Sequence, residues 1–297
     1  MLETDGVAPP ASGVSSRPVP WGNVALVLGL LVVAYLPILI RMANQWTGDD
    51  DMGHGFFVPA IAGYIAWNRR REVLALTPRP NLLGLLLMLW AAVQMSIGIL
   101  GAELFLQRSA FVASVWGSVL FLGGWPYVRA LALPLVMLPL MVPIPAVIYN
   151  QITFPLQLFA SSVAENVLIL IGIPVLRDGN VLELANQKLS VVEACSGIRS
   201  LLSLTFLSLV YGYFSEDRLW VRWAIFLASI PIAVAANSFR VSATGIISEY
   251  NPDLAQGFFH TLEGGVSFAF AFCLMLLFHV LVKKISPAPS AGAPVTV

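Results

Sequence analysis

The chain has 297 residues, 58% of them hydrophobic and 11% charged, with a formal net charge of zero and a mean hydropathy of +0.83. A soluble domain carries about 25% charged residues, so this composition excludes a soluble globule and makes lipid the solvent. Zero net charge gives no bias towards nucleic acid. Two cysteines, Cys195 and Cys273, argue against a disulfide framework, and Cys273 within VSFAFAFCLMLLFHV reads as a small apolar side chain.

In chain order, residues 1–20 are rich in Pro, Ser and Gly, which predicts a disordered cytoplasmic tail. The first apolar run lacks a following small-residue cleavage site and reads as a retained helix. A helix crossing about 30 Å of hydrocarbon needs about 20 apolar residues. Candidate spans are 22–40, 55–68, 82–100, 104–122, 127–143, 197–214, 220–238 and 265–282, the second being short. The expected fold is therefore an all-α polytopic transmembrane bundle of about eight spans. It occupies 21–284, and 285–297 is expected to be a disordered C-terminal tail.

Orientation follows from the excess of Lys and Arg in short cytoplasmic loops. Arg69, Arg70, Arg71 and Arg79 follow the second span, Arg218 and Arg222 mark the 215–222 loop, and Lys283 and Lys284 follow the last span. All of these belong inside, as does Arg129, whereas the acidic TGDDDMGHG belongs outside. Counting from both ends agrees only if 151–173, which carries Gln157, Ser161, Ser162, Glu165 and Asn166, makes no net crossing. That segment is expected to be an interfacial or re-entrant helix, with 177–196 and 238–264 outside.

In 177–200, Asp178-Gly179-Asn180 is a turn signal. Val181–Leu184 and Lys188–Val192 read as two strands around Asn186–Gln187, a small extracytoplasmic β-hairpin. It leads to Cys195, at or just before a helix N-terminus, where orphan N–H groups and the helix dipole favour a thiolate. Arg199 lies one turn on and can add to that field. The competing reading of Ala194–Gly197 is a capping cluster that only packs.

Arg240, in AANSFRVSATG, stands where the 220–238 helix reaches the outer face; arginine at membrane depth is costly unless paired, functional or snorkelling. Asn237, one turn earlier, can orient it. His260 precedes the last helix, in an outer loop. Topology thus places Cys195, Arg240 and His260 on one outer surface. They would be a nucleophile, a charge stabiliser and a general acid/base for acyl transfer.

Other chemistries compete less well. His54 beside Asp49, Asp50 and Asp51 is a weak metal signal, and HExxH and GxxxxGK strings are absent from the sequence. No metal or other cofactor is expected. A rhomboid-like intramembrane serine protease would use Ser196 and His260, but Ala194 breaks its Gly-x-Ser-Gly string. A transporter or assembly scaffold would show an internal repeat or midplane polar breaks; Pro134, Pro139, Pro143 and Pro145 leave room for it.

The strings VVEACSGIRSLLSL, ANSFR and FFHTLEGG resemble the exosortase/archaeosortase family of membrane transpeptidases, as do HGFFVPAIAGYIAWNRR and MVPIP. The resemblance runs over about 22–283. It implies Cys195 as nucleophile, with Arg240 and His260 as its partners. It also implies, as substrates, exported proteins ending in a short Pro-Glu-Pro-type motif, a transmembrane helix and a basic tail. The new carboxyl end would pass to an acceptor, a lipid or polysaccharide-linked group or water, at the outer face of a bacterial inner membrane. Arg199, Asn237, Glu193 and Ser196 are expected to bind or orient.

Overall fold

The computed structural model describes residues 21–185, 188–190, 198–251 and 258–286. The expected terminal tails and the Asn186–Gln187 turn lie outside the described residues. The chain divides into two compact units, one running to Ile40 with Ala62–Pro139, the other Arg41–Ile61 with Leu140 onwards.

The first unit takes most of α1 (Trp21–Gly48) and the end of α2 (Phe57–Asn68), then α3 (Arg70–Ala75), α4 (Leu82–Leu100), α5 (Leu104–Gly123), α6 (Trp125–Ala130) and α7 (Ala132–Met137). Asn81 caps α4 by accepting from Leu83 N at 2.9 Å, and Glu103 caps α5 by accepting from Leu106 N at 2.7 Å. Small residues at sevenfold spacing, Gly84, Ala91 and Gly98, are the buried residues of α4. A Cβ on Gly84 would lie 2.2 Å from Phe121 N, and one on Gly117 would lie 2.9 Å from Gly84 O. The two backbones therefore touch, the close approach that small residues permit in lipid. Tyr35 OH and Ser114 Oγ, 2.8 Å apart, tie α1 to α5.

The sequence predicts one span over 127–143, but here α6 and α7 are short and a 3-10 turn follows at Leu138–Met141. Pro126, Pro134 and Pro139 deprive the backbone of donors at short intervals. Likewise, 55–68 begins as a 3-10 segment, Asp50–Phe56, before α2.

The second unit is built on α8 (Ala146–Leu170), a sheet, α9 (Ile198–Ser215), α10 (Leu219–Tyr250) and α11 (Phe258–Ile285). Three antiparallel strands, β1 (Val175–Asp178), β2 (Val181–Leu184) and β3 (Lys188–Ser190), pair in sequence order. The β1–β2 turn places Gly179 at φ +61°, a conformation that suits glycine. The expected hairpin is β2–β3; β1 is an additional strand.

Helix α8 is continuous over 25 residues, about 37 Å at 1.5 Å per residue, and apolar enough to cross a membrane. Three of its polar residues find partners in β1 and the β1–β2 turn. Gln157 Oε1 accepts from Asn180 Nδ2 (3.1 Å), Ser161 Oγ donates to Gly179 O (3.1 Å), and Glu165 pairs with Arg177 (2.8 Å). These positions, four apart, form one helix face. Leu182 and Leu184 of β2 pack on Ala160, Ala164 and Leu168 of α8 and on Val241 of α10.

That packing carries α10 well past the predicted end at 238. Gly245 lies close enough to α8 that a Cβ would stand 3.0 Å from Leu168 Cδ1. Ser238, Ser242 and Thr244 return their hydroxyls to carbonyls four residues earlier. A segment read as outer loop is thus helix.

Among the described residues, α1, α4, α5, α8, α10 and α11 are long and apolar enough to span a bilayer. Shorter helices are α2, the stretch Ala132–Met141 and α9. The protein is a polytopic helical membrane protein with a small antiparallel sheet.

Candidate active site

One end of the α9–α10–α11 bundle is fixed by a buried carboxylate. Glu216, with 7% of its side chain exposed, follows α9. Its Oε1 accepts from Arg218 Nε (3.0 Å) and from the Arg218 backbone N–H (3.2 Å), and its Oε2 from Arg218 Nη2 (3.2 Å). His279 Nε2 stands 3.4 Å and Lys283 Nζ 3.8 Å from Oε2, both on α11. Arg218 Nη1 donates to Ser286 O (2.5 Å), and Tyr211 OH meets His279 Nδ1 at 2.7 Å. The Arg218 guanidinium, above all, holds the Glu216 carboxyl at about 2, well below its ordinary 4.5; burial opposes it and the His279 contact adds to it.

With the end of α9, the start of α10 and the end of α11 joined there, the opposite end is determined. Ile198 lies about 27 Å along α9 from this clasp, Arg240 about 33 Å along α10, and His260 about 28 Å along α11. The three helices pack on one another through Leu204, Val221, Ile225, Ala233, Ala236, Ala271 and Met275. The start of α9, the Arg240 turn of α10 and the first turn of α11 therefore share one end, at heights agreeing within about 6 Å.

Cys195, Ser196 and Glu193 lie outside the described residues; the chain re-enters the structure three residues after the cysteine, at Ile198. Arg199 is the second residue of α9 and His260 the third of α11. Arg240 is half-buried, and among the described residues its buried Nε has no hydrogen-bond partner. A buried donor left unpaired costs desolvation free energy that a bound acceptor would recover. Asn237, 6% exposed and one turn before it, borders a small cavity with Leu156, Leu201, Ala233 and Val234.

Two polar groups further along α10 escaped the sequence reading. Ser248 is fully buried, and its Oγ and the Glu249 Oε2 have no hydrogen-bond partner among the described residues. The signal was the recurrence of Asn237, Arg240, Thr244 and Ser248 at intervals of three and four, a helical face. In the other unit Arg108, 6% exposed, is a buried cation on α5 that the apolar run around it concealed. His54 is bound into the fold: its Nε2 lies 3.1 Å from Leu140 O, and its ring 6.3 Å from that of Phe206. Among the described residues no cluster of three His, Cys, Asp or Glu side chains could hold a metal ion.

A profile of the transmembrane exosortases (Exosortase_EpsH) matches residues 46–278. Searches of curated proteins and of solved structures gave no significant match. The profile covers most of the chain and takes in the strings around Cys195, Arg240 and His260, and by that match the chain belongs to the transmembrane exosortase family.

Proposed function

We propose that the chain is a cysteine transpeptidase that cuts a C-terminal sorting signal from exported proteins. It would act at the outer face of the bacterial inner membrane and pass the new carboxyl end to an acceptor. The observation that carries this reading is the convergence of the α9 start, the Arg240 turn and the α11 start at one end, with a buried guanidinium N–H that has no partner among the described residues. Arg218, Arg222, Lys283 and Lys284 gather at the other end, which the charge bias of membrane loops assigns to the cytoplasm.

In the mechanism, the Cys195 thiolate adds to the scissile carbonyl carbon and Arg240 stabilises the oxyanion. The tetrahedral intermediate collapses to a thioester on Cys195 as His260 gives a proton to the leaving amine. An acceptor amine or hydroxyl, or water, then attacks the thioester, loses its proton to His260 and regenerates the thiolate. Asn237 orients Arg240, while Arg199, Glu193 and Ser196 serve binding and positioning. The substrate has a short motif, a transmembrane helix and a basic tail; the acceptor is a lipid or polysaccharide-linked group or water.

The test is cleavage of a co-expressed sorting-signal substrate by wild type, Cys195→Ala and Ser196→Ala at matched membrane levels. Processing is expected to disappear with Cys195→Ala and to survive in Ser196→Ala. Undiminished cleavage by Cys195→Ala would overturn the reading.

A further inference from the structure

The first unit contains an apolar cavity of about 240 Å³ unrelated to the residues above. Its floor is α5, where Ser118 and Gly123 are buried, and its rim includes exposed Trp21, Leu28 and Leu74. Along α1 the lining runs from Trp21 to Leu31, about 15 Å, and along α5 from Gly123 back to Val115, about 12 Å. A hydrocarbon core is about 30 Å thick. The groove is therefore the depth of one leaflet, and its lining reaches the end where α5 gives way to α6.

Three arginines adjoin the lining residues in the chain at that end. Arg79 follows the lining residue Pro78, and its backbone N–H donates to Gly123 O at 3.0 Å, fixing it at the mouth. Arg71 precedes lining residues Val73 and Leu74, and Arg129 lies between lining residues Tyr127 and Leu131. All three are exposed, and among the described residues none has a side-chain hydrogen bond or ion pair. Arg69 and Arg70 are engaged, the first with Glu72 (3.1 Å) and the second over the Trp67 ring (4.6 Å). Between Ala62 and Ala102 the sole acidic residue is Glu72. The mouth thus carries uncompensated positive charge above an apolar, one-leaflet-deep slot.

We propose that this groove is a binding site for an anionic glycerophospholipid of the cytoplasmic leaflet. One acyl chain lies in the slot against Leu28, Val115 and Ser118, and the phosphate is held by Arg71, Arg79 and Arg129. Guanidinium groups suit phosphate oxygens through paired N–H donors. The apolar slot alone would accept any acyl chain; the arginines select the headgroup.

The experiment titrates the purified full chain, in neutral detergent, with dioleoyl-phosphatidylglycerol and dioleoyl-phosphatidylcholine, reading bound lipid by native mass spectrometry. The first lipid is expected to bind at least about tenfold more tightly. Each arginine near a membrane surface contributes about fivefold, so Arg71→Gln/Arg79→Gln/Arg129→Gln should weaken phosphatidylglycerol by about a hundredfold, weaken phosphatidylcholine much less because its choline already offsets the phosphate charge, and erase the preference. Ser118→Leu, which fills the floor, should weaken both lipids; if that variant fails to accumulate, Leu28→Trp at the rim makes the same test. Equal affinity of wild type for the two lipids overturns the proposal. So does a triple variant that keeps its preference, or a filled groove that binds phosphatidylglycerol like wild type.

Discussion

At Glu216 a single carboxylate organises three helix ends, and its ionisation has a readable consequence. Its folded pKa, about 2, lies below the ordinary 4.5, so the charged form is the one the fold favours. That contribution is complete above about pH 5 and is lost as pH falls from 4.5 towards 2. Glu216→Gln should lower stability by roughly 2 kcal/mol near neutrality. It should also flatten the acid limb of a Tm-against-pH curve; a variant with the wild-type limb would contradict this. Arg240 makes the second residue-scale prediction. Removing an oxyanion donor costs about 10²–10³ in rate, so Arg240→Gln should lose turnover on that order with normal membrane levels. The chemistry-bearing residue types were legible because Cys, Arg and His are conspicuous in an apolar chain. Ser248 and Glu249 were not, because a Ser/Thr-containing stretch reads as loop until the sheet that packs on it is known.

Among the elements, the α4–α5 pair depends on backbone contact rather than on side-chain interdigitation. With 2.2 Å between a Gly84 Cβ and Phe121 N, no rotamer change relieves the clash. Gly84→Val should therefore cost more than the 1–3 kcal/mol usual for overpacking, read as lost accumulation or a lower Tm than Ser96→Val, an exposed change on the same helix. A wild-type Tm for Gly84→Val would refute the contact. Long apolar runs were legible as helices even where one proline interrupts them, as Pro37 does in α1 and Pro231 in α10. The 127–143 run was not, since its prolines divide it into α6, α7 and a 3-10 turn. In residues 151–173, Gln157, Ser161 and Glu165 were read as facing water or protein, and their partners are protein: Asn180, Gly179 and Arg177. A long-range partner leaves no mark on local composition.

Across the whole molecule, the sequence reading expects Cys195, Arg240 and His260 outside, and the Glu216 clasp puts the α9 start, Arg240 and the α11 start at the end opposite Arg218 and Lys283. The helical membrane class and the ordered motif strings were legible from sequence. The division into two units and the length of α10 were not, because both arise from packing between segments far apart in the chain. In the proposed reaction Cys195 carries the acyl group between cleavage and transfer. The most direct measurement is acid-quenched mass spectrometry of the chain mixed with a sorting-signal peptide, resolving the fragment that contains Cys195 and Ser196. A substrate-derived acyl adduct on Cys195, released by hydroxylamine and absent from Cys195→Ala, is the expected result. An adduct on Ser196, or steady cleavage by Cys195→Ala with no adduct at all, would contradict it.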